Sequence, residues 1–217
     1  MVRILNIDCS SNTLYISIAE NGKLLTEKTD IVQRNHASNL QPFVEEILQA
    51  CSLGFSDLHA VAVMNGPGSY TGLRVGLSAA KGYCFALDIP LICISNLEAI
   101  AHQYYDENQD FKQNITSIIS PMKDEVIIEE YNSNLMLVTP AKHITLKNNN
   151  NNYFIDTLNI IGCVSNDIVS TFKIANFYYQ LYKNMYINSL SFSLYQKSRF
   201  NHIIDAEPNY LKETFIN

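Results

Sequence analysis

The residues with the clearest chemical potential form segment 65–76, which reads Asn-Gly-Pro-Gly-Ser-Tyr-Thr-Gly-Leu-Arg-Val-Gly. A Gly-Pro-Gly turn between a strand and the start of a helix can present backbone N–H groups to an anion. The segment is not a P-loop, because no Gly-Lys-Ser/Thr sequence follows the glycines. A tight turn that binds nothing is the simpler interpretation. The spacing alone leaves a plain turn and an anion site both open.

Two side chains, one before this segment and one within it, also invite a chemical interpretation. His36 precedes an apolar helical stripe, but no serine or cysteine motif accompanies it, which favours an interface role over nucleophilic catalysis. Arg74 falls in the first turn of the predicted helix, where a positive charge opposes the helix dipole. Its position therefore suggests a contact with a partner's carboxylate, or a simple surface ion pair.

Small residues recur every four positions along the same predicted helix, at Gly68, Gly72, Gly76 and Ala80. A glycine inside a helix costs about 1 kcal/mol relative to alanine, so several of them require a compensating close contact. That contact is either the sheet of the same subunit or a helix of a second chain. The four-residue period does not distinguish between the two.

The elements that position these residues can be predicted from hydrophobic periodicity. Strands are expected at 3–7, 14–19 and 23–26, with an Asn21-Gly22 hairpin turn between the last two. An apolar stripe predicts a helix over 37–51, and a continuous apolar run predicts a buried strand over 59–64. A second helix over 69–87 then leads to a strand at 91–94, which together form a parallel crossover.

The same order of elements returns when the numbering is advanced by 111 positions. Strands are expected at 115–119, 126–131 and 135–138, followed by a buried strand over 158–164. The five consecutive asparagines at 148–152 indicate an exposed loop. The sequence therefore predicts two related α/β halves.

The composition sets limits on the function. The chain has 217 residues, 47% of them hydrophobic, and a formal net charge of -6, so it offers no global positive field to gather nucleic acid. Its five cysteines are odd in number and form no C-x-x-C pair, which is typical of a reducing, cytoplasmic compartment. We expect neither a signal peptide nor a membrane span.

Segment 66–76 resembles the signature of the TsaB (YeaZ) family of tRNA threonylcarbamoyladenosine biosynthesis proteins. Further matches are the run 4–8, His36 ahead of Leu-Gln-Pro at 40–42, the run 94–98, Glu125-Val126, and Pro-Asn-Tyr-Leu-Lys at 208–212. The resemblance is dense over residues 1–102 and sparse afterwards. It implies a duplicated actin-like, sugar-kinase-like fold with mixed sheets, which agrees with the repeated order of elements. We accordingly expect subdomains at 1–108 and 109–217, with the last helix packing back on the first.

The resemblance also implies that this is a non-catalytic subunit. In the catalytic relatives, a His-x-x-x-His pair on the helix after the fifth strand holds a metal, whereas Asn96 and Ile100 stand at those positions here. Actin-like folds grip phosphates with glycine-containing turns, but residues 8–11 and 120–123 contain no glycine, and Pro121 has no N–H. Asp8, where actin-like enzymes organise metal-bound water, more simply forms an Asx turn with Ser10 or Ser11. We therefore expect no cofactor and no metal.

The partners follow from the same resemblance. They are the catalytic threonylcarbamoyl transferase subunit, in a heterodimer, and a small ATPase subunit, with a homodimer through the same helices as a further option. tRNA is expected to bind only through the complex. The alternatives are a glycoprotease-like metallohydrolase or an ATP-dependent small-molecule kinase. The residues expected at the partner interface are His36, Leu40, Val44, Gly72, Arg74, Val75, Gly76 and Ala80.

Overall fold

The computed structural model describes residues 1–31, 35–122, 125–145, 159–164, 168–169, 177–179 and 184–210, and every structural statement refers to these ranges. The asparagine run at 148–152 lies outside them. The chain forms two compact units, one of Met1–Asn96 with Asn184–Tyr210 and the other of Leu97–Lys183 with Leu211–Asn217. The predicted boundary between subdomains 1–108 and 109–217 stays a prediction.

The first unit is built on a five-stranded mixed sheet with the strand order β3-β2-β1-β4-β5. Strands β1, β2 and β3 form an antiparallel meander, whereas β4 and β5 run parallel to β1. Asn21 and Gly22 both have positive φ, at 50° and 79°, as expected of the two central residues of a tight hairpin turn. The strands are β1 (Arg3–Asp8), β2 (Thr13–Glu20), β3 (Lys23–Ile31), β4 (Ala60–Gly66) and β5 (Leu91–Ser95).

Two helices cover this sheet because each carries an apolar stripe on one face. Helix α1 (His36–Ala50) buries Leu40, Val44 and Ile47. Helix α2 (Tyr70–Leu87) buries its small residues with Leu73 and Leu77. Leu77 and Ala80 of α2 and the three α1 side chains join the apolar residues of β1, β2 and β4 in one continuous core. The predicted meander, helices and parallel crossover strand of the first half are therefore confirmed, with ends that differ by a few residues.

The second unit repeats the sheet topology of the first. Its strand order is β10-β9-β6-β7-β8, in which β6, β7 and β8 form an antiparallel meander and β9 runs parallel to β6. The duplicated actin-like fold expected from the sequence is thus confirmed. The strands are β6 (Ile115–Met122), β7 (Glu125–Tyr131), β8 (Leu137–Thr145), β9 (Ile160–Cys163) and β10 (Phe177–Tyr179).

The third strand of the second meander was predicted too early in the chain. The prediction placed it at 135–138, but Leu135 has a φ of 57° and lies in the preceding turn. The Asn132 side chain organises that turn, since its Oδ1 accepts hydrogen bonds from the backbone N–H groups of Asn134 and Met136. The prediction was wrong here because it carried over the two-residue turn of the first meander, whereas an asparagine side chain supports a longer one.

Two further helices complete the described structure. Helix α3 (Asn96–Glu107) begins directly after β5, and helix α4 (Tyr186–Gln196) packs on the first sheet. Within the first unit, Asn188 of α4 accepts hydrogen bonds from Asn6 and Ser17 at 2.9 and 2.7 Å. These polar groups are buried, so they fix the position of α4 by mutual hydrogen bonding. Among the described helices, none is long and apolar enough to cross a bilayer.

Candidate functional site

The glycine-rich segment links β4 to α2, as its sequence predicts. Ser69 caps the helix, because its Oγ accepts a hydrogen bond from the Gly72 backbone N–H at 3.3 Å. The Ser69 N–H in turn donates to the backbone oxygen of Ser10 at 2.7 Å. The start of α2 is therefore held against the turn between β1 and β2.

Two glycines at the start of α2, Gly68 just before the helix and Gly72 in its first turn, are required by that close approach. A Cβ atom built on Gly72 would lie 1.9 Å from the Cys9 carbonyl oxygen, and one built on Gly68 would lie 2.4 Å from the Ser10 oxygen. At Gly76 the nearest atoms are 3.4 Å away and belong to Cys9 and Val63. The small-residue face of α2 thus packs on the sheet of its own unit. Of the two contacts that the four-residue spacing left open, this is the one within the same subunit.

The turn between β1 and β2 is closed by its own side chains. Asp8 Oδ1 accepts a hydrogen bond from the Ser10 N–H at 2.8 Å, which confirms the Asx-turn interpretation. Burial raises the pKa of the Asp8 carboxyl, an effect that the hydrogen bonds with Ser10 partly offset. Asn96 Nδ2 donates to Ser10 Oγ at 2.7 Å. The Ser10 N–H is therefore already used and is not presented to a phosphate.

The two positions at which catalytic relatives are expected to hold a metal do not suit one. Asn96 donates its amide to Ser10, and Ile100 is buried in an apolar cluster of the second unit with Ala101 and Tyr104. Within the described ranges, no group of three or more His, Cys, Asp or Glu side chains is arranged to hold a metal ion. An amide and an alkyl side chain do not form a metal-binding donor set.

Most of the residues predicted to lie at a partner interface are buried within the first unit. His36, Leu40 and Val44 are on the inner face of α1, and Gly72, Gly76 and Ala80 are on the inner face of α2. Arg74 is exposed and Val75 is half-buried. The interface role of these eight residues stays a prediction.

A groove of about 670 Å³ opens between α1 and α2. Tyr83 links the two helices, because its hydroxyl donates to Gln41 Oε1. Burial and the nearby Glu45 carboxylate raise the pKa of Tyr83 to about 12, so the hydroxyl remains a donor at neutral pH. A Cβ atom on Gly82 would meet nothing within 4 Å, so this glycine opens the groove. The lining residues are Ala37, Leu40, Gln41, Arg74, Val75, Ser78, Ala79, Gly82 and Tyr83.

Tyr70, Arg74 and Tyr210 form a cluster beside this groove. The Arg74 guanidinium lies 4.2 Å from the ring centre of Tyr70, and its Nε donates to the Tyr210 hydroxyl at 2.7 Å. Sequence reasoning found Arg74 but not Tyr210, although it noted the Pro-Asn-Tyr run at 208–210. Tyr70 and Arg74 are one helical turn apart, a local signal that could have indicated their contact. Sequence reasoning also missed Ser78, Gly82 and Tyr83, which line the groove.

Comparison with known proteins identifies the family. The family model described as TsaD, tRNA N6-adenosine threonylcarbamoyltransferase, matches residues 27–145, which is more than half of the chain. The tRNA threonylcarbamoyladenosine biosynthesis protein TsaB of Haemophilus influenzae is 33% identical over 127 residues, covering 58% of this chain and 52% of its own length. TsaB of Bacillus subtilis is 38% identical over 98 residues, covering 45% and 43% respectively. The chain thus spans about half the length of the curated relatives it matches.

A solved structure agrees with the duplicated fold. YeaZ from Pseudomonas aeruginosa superposes with a TM-score of 0.77 at 21% sequence identity, over 97% of this chain and 100% of the other. The range that the family model matches, 27–145, contains helices α1 and α2 and the whole second meander. The chain therefore belongs to the family that this model describes, TsaD, tRNA N6-adenosine threonylcarbamoyltransferase, and is a relative of the TsaB/YeaZ proteins.

Proposed function

We propose that the chain is a non-catalytic subunit that stabilises the catalytic subunit of the complex transferring threonylcarbamoyl to the adenosine beside the anticodon of tRNA. The observation that carries this proposal is the open groove between α1 and α2. The turn between β1 and β2, where related folds bind phosphate, is closed here because Asp8 accepts the Ser10 N–H. The groove is lined mainly by apolar and small residues and has one exposed cation, Arg74. Such a surface fits an amphipathic helix of a partner protein.

The occupant that we propose is a helix of the catalytic transferase subunit. Its apolar stripe would enter the groove where Gly82 and Ser78 leave space, and a small ATPase would join the complex at another surface. A second copy of the chain could use the same groove in the absence of the transferase. Because the net charge is -6, tRNA would be held mainly by the other subunits.

The two alternative functions have less support from the site. A metallohydrolase needs ligands at positions occupied by Asn96 and Ile100. A small-molecule kinase needs backbone donors in the first turn, where Asp8 already accepts the Ser10 N–H. A cytoplasmic location fits the reduced state of the buried cysteines Cys9, Cys84 and Cys93, each free of a disulfide.

The test is co-purification with the transferase subunit of the same cell, followed by an assay for threonylcarbamoyladenosine in tRNA with each subunit alone and with both. We expect modification to require both.

The matched variants are Gly82→Leu, which fills the groove without touching its own core, and Ala86→Leu, which adds the same side chain outside the groove lining. Overpacking costs about 1 to 3 kcal/mol, so Gly82→Leu should weaken binding by about fivefold to 150-fold.

Circular dichroism and melting of both variants establish that they are folded. Equal loss of binding in Gly82→Leu and Ala86→Leu would show that the groove is not the contact. Full tRNA modification by the transferase alone would overturn the proposed function itself.

A further inference from the structure

The C-terminal strap, defined as residues 200–210, runs along the first unit and ends beside Arg74. At its start, the Asn201 N–H donates to the Leu91 oxygen, and Asn201 Oδ1 accepts a hydrogen bond from the Cys93 N–H, both at 2.8 Å. Lys81 of α2 then donates to the backbone oxygens of Ile204 and Ala206 at 3.3 and 3.0 Å. The strap is thereby fastened first to the edge of β5 and then to α2.

The end of the strap is fixed on the glycine turn that precedes α2. The Asn209 N–H donates to the Asn65 oxygen at 2.7 Å. Gly66 has a φ of +118°, and a Cβ atom there would lie 2.7 Å from the Asn209 oxygen. Gly66 is therefore required both by its backbone conformation and by the strap, so the glycine turn and the strap are fitted to each other.

This attachment places the Tyr210 ring against the first turn of α2. The ring centres of Tyr210 and Tyr70 are 4.7 Å apart, and the Arg74 guanidinium lies over both rings, at 4.2 Å from Tyr70 and 5.6 Å from Tyr210. Arg74 Nε donates to the Tyr210 hydroxyl. Within the part of the chain that the structure describes, no carboxylate forms an ion pair with Arg74. Arg74 is exposed and is one of the residues that line the groove, so its guanidinium can meet a carboxylate that enters the groove.

We infer that Tyr210 is a positioning residue that holds Arg74 as a preformed clamp for a carboxylate of the partner helix in the groove. This inference rests on the proposed function and adds the C-terminal strap to its binding surface. An arginine side chain in water samples many rotamers, and ordering it on binding opposes association. Two rings and one hydrogen bond order the guanidinium in advance, while the Arg74 side chain stays exposed to a partner. A planar guanidinium presented in this way suits the two oxygens of an Asp or Glu side chain.

The partner chemistry is an acidic side chain on an otherwise apolar helix face. Arg74 is the one charged residue among those that line the groove, so a carboxylate opposite it completes the charge match. Neighbouring positions of that helix would carry aliphatic or small side chains, to fit beside Val75 and Ala79.

The test is a double-mutant cycle on affinity for the transferase subunit, with Tyr210→Phe, Arg74→Ala and the double variant. Tyr210→Phe retains the ring and removes only the hydroxyl acceptor, so we expect binding to weaken by about threefold to tenfold. Arg74→Ala should weaken binding by about tenfold or more, and adding Tyr210→Phe to it should change nothing further. The wild-type affinity should also fall with salt more steeply than that of Arg74→Ala.

The matched control is Tyr195→Phe, because Tyr195 lies in the same unit and contacts Phe200 of the strap rather than Arg74. A Tyr210→Phe variant that binds as tightly as the wild type, or that weakens binding equally with and without Arg74, would overturn the inference. Failure of the wild-type chain to bind the transferase would overturn the proposed function and the interface part of this inference together.

The isolated chain tests the positioning part without any partner. In the wild type, the Arg74 Nε–H should give a separate proton resonance that exchanges slowly with water, because it donates to Tyr210. In Tyr210→Phe that exchange should accelerate at least severalfold, while Tyr195→Phe leaves it unchanged. Equal Nε–H exchange in wild type and Tyr210→Phe would show that Tyr210 does not hold Arg74.

Discussion

A single methyl group added at Gly72 should destabilise the first unit strongly, although alanine is the better helix former. The added Cβ would lie 1.9 Å from the Cys9 carbonyl oxygen and 3.1 Å from its carbon, whereas real Cβ atoms keep at least 3.0 Å from such atoms. The obstacle is backbone rather than a flexible side chain, so the helix start or the turn must move. Overpacking of this kind costs about 3 kcal/mol or more, and the alanine returns about 1 kcal/mol of helix propensity.

The net expectation for Gly72→Ala is a loss of about 2 kcal/mol or more in the free energy of unfolding. For a chain of this size that corresponds to a melting temperature about 4 to 8 °C lower. Thermal melting followed by circular dichroism measures the change, and urea unfolding provides the free energy independently.

Gly82→Ala is the matched control, because it makes the same chemical change in the same helix. Nothing lies within 4 Å of the added Cβ, so only the helix propensity changes. We expect stabilisation by about 0.5 to 1 kcal/mol and a melting temperature raised by about 1 to 4 °C. If Gly72→Ala melts at or above the wild-type temperature, then α2 does not approach the turn as closely as the structure shows.

Three other outcomes are expected. Burial raises the pKa of Asp8 in the folded chain, so its carboxyl reduces the free energy of unfolding as the pH rises from the unfolded pKa of 3.8 through the folded pKa. The melting temperature of Asp8→Asn minus that of the wild type should therefore increase over this pH window and then level off. A difference that does not depend on pH would contradict this expectation. Asn188→Ala leaves the buried donors of Asn6 and Ser17 without their acceptor and should cost about 2 to 4 kcal/mol in urea unfolding, whereas Ser193→Ala on the same helix should cost under about 0.5 kcal/mol. The isolated chain should bind ATP only weakly, since the Ser10 N–H is already used; a calorimetric dissociation constant of about 1 μM or below would contradict this expectation.

The sequence by itself determined the order and type of most elements. The aliphatic residues at every second position of β2 and the apolar stripe of α1 follow from strand and helix geometry, so they can be recognised without knowing the neighbours. The repeat at an offset of 111 positions likewise predicted the second meander, but it placed the third strand at 135–138 instead of Leu137–Thr145. There the side chain of Asn132 supports a longer turn by accepting hydrogen bonds from two backbone N–H groups. Those hydrogen bonds depend on the backbone conformation of the turn, which the residue types alone do not determine.

What the small residues of α2 contact was decided only by the tertiary structure. A period of four residues defines a face of a helix but does not specify what covers it. Here the cover is the turn between β1 and β2 together with Val63 of β4. The contact between Arg74 and Tyr210 joins residues 136 positions apart, so no local pattern could predict it. The groove itself depends on the distance between α1 and α2, which is set by the packing of their inner faces on the sheet rather than by the residues that line its opening.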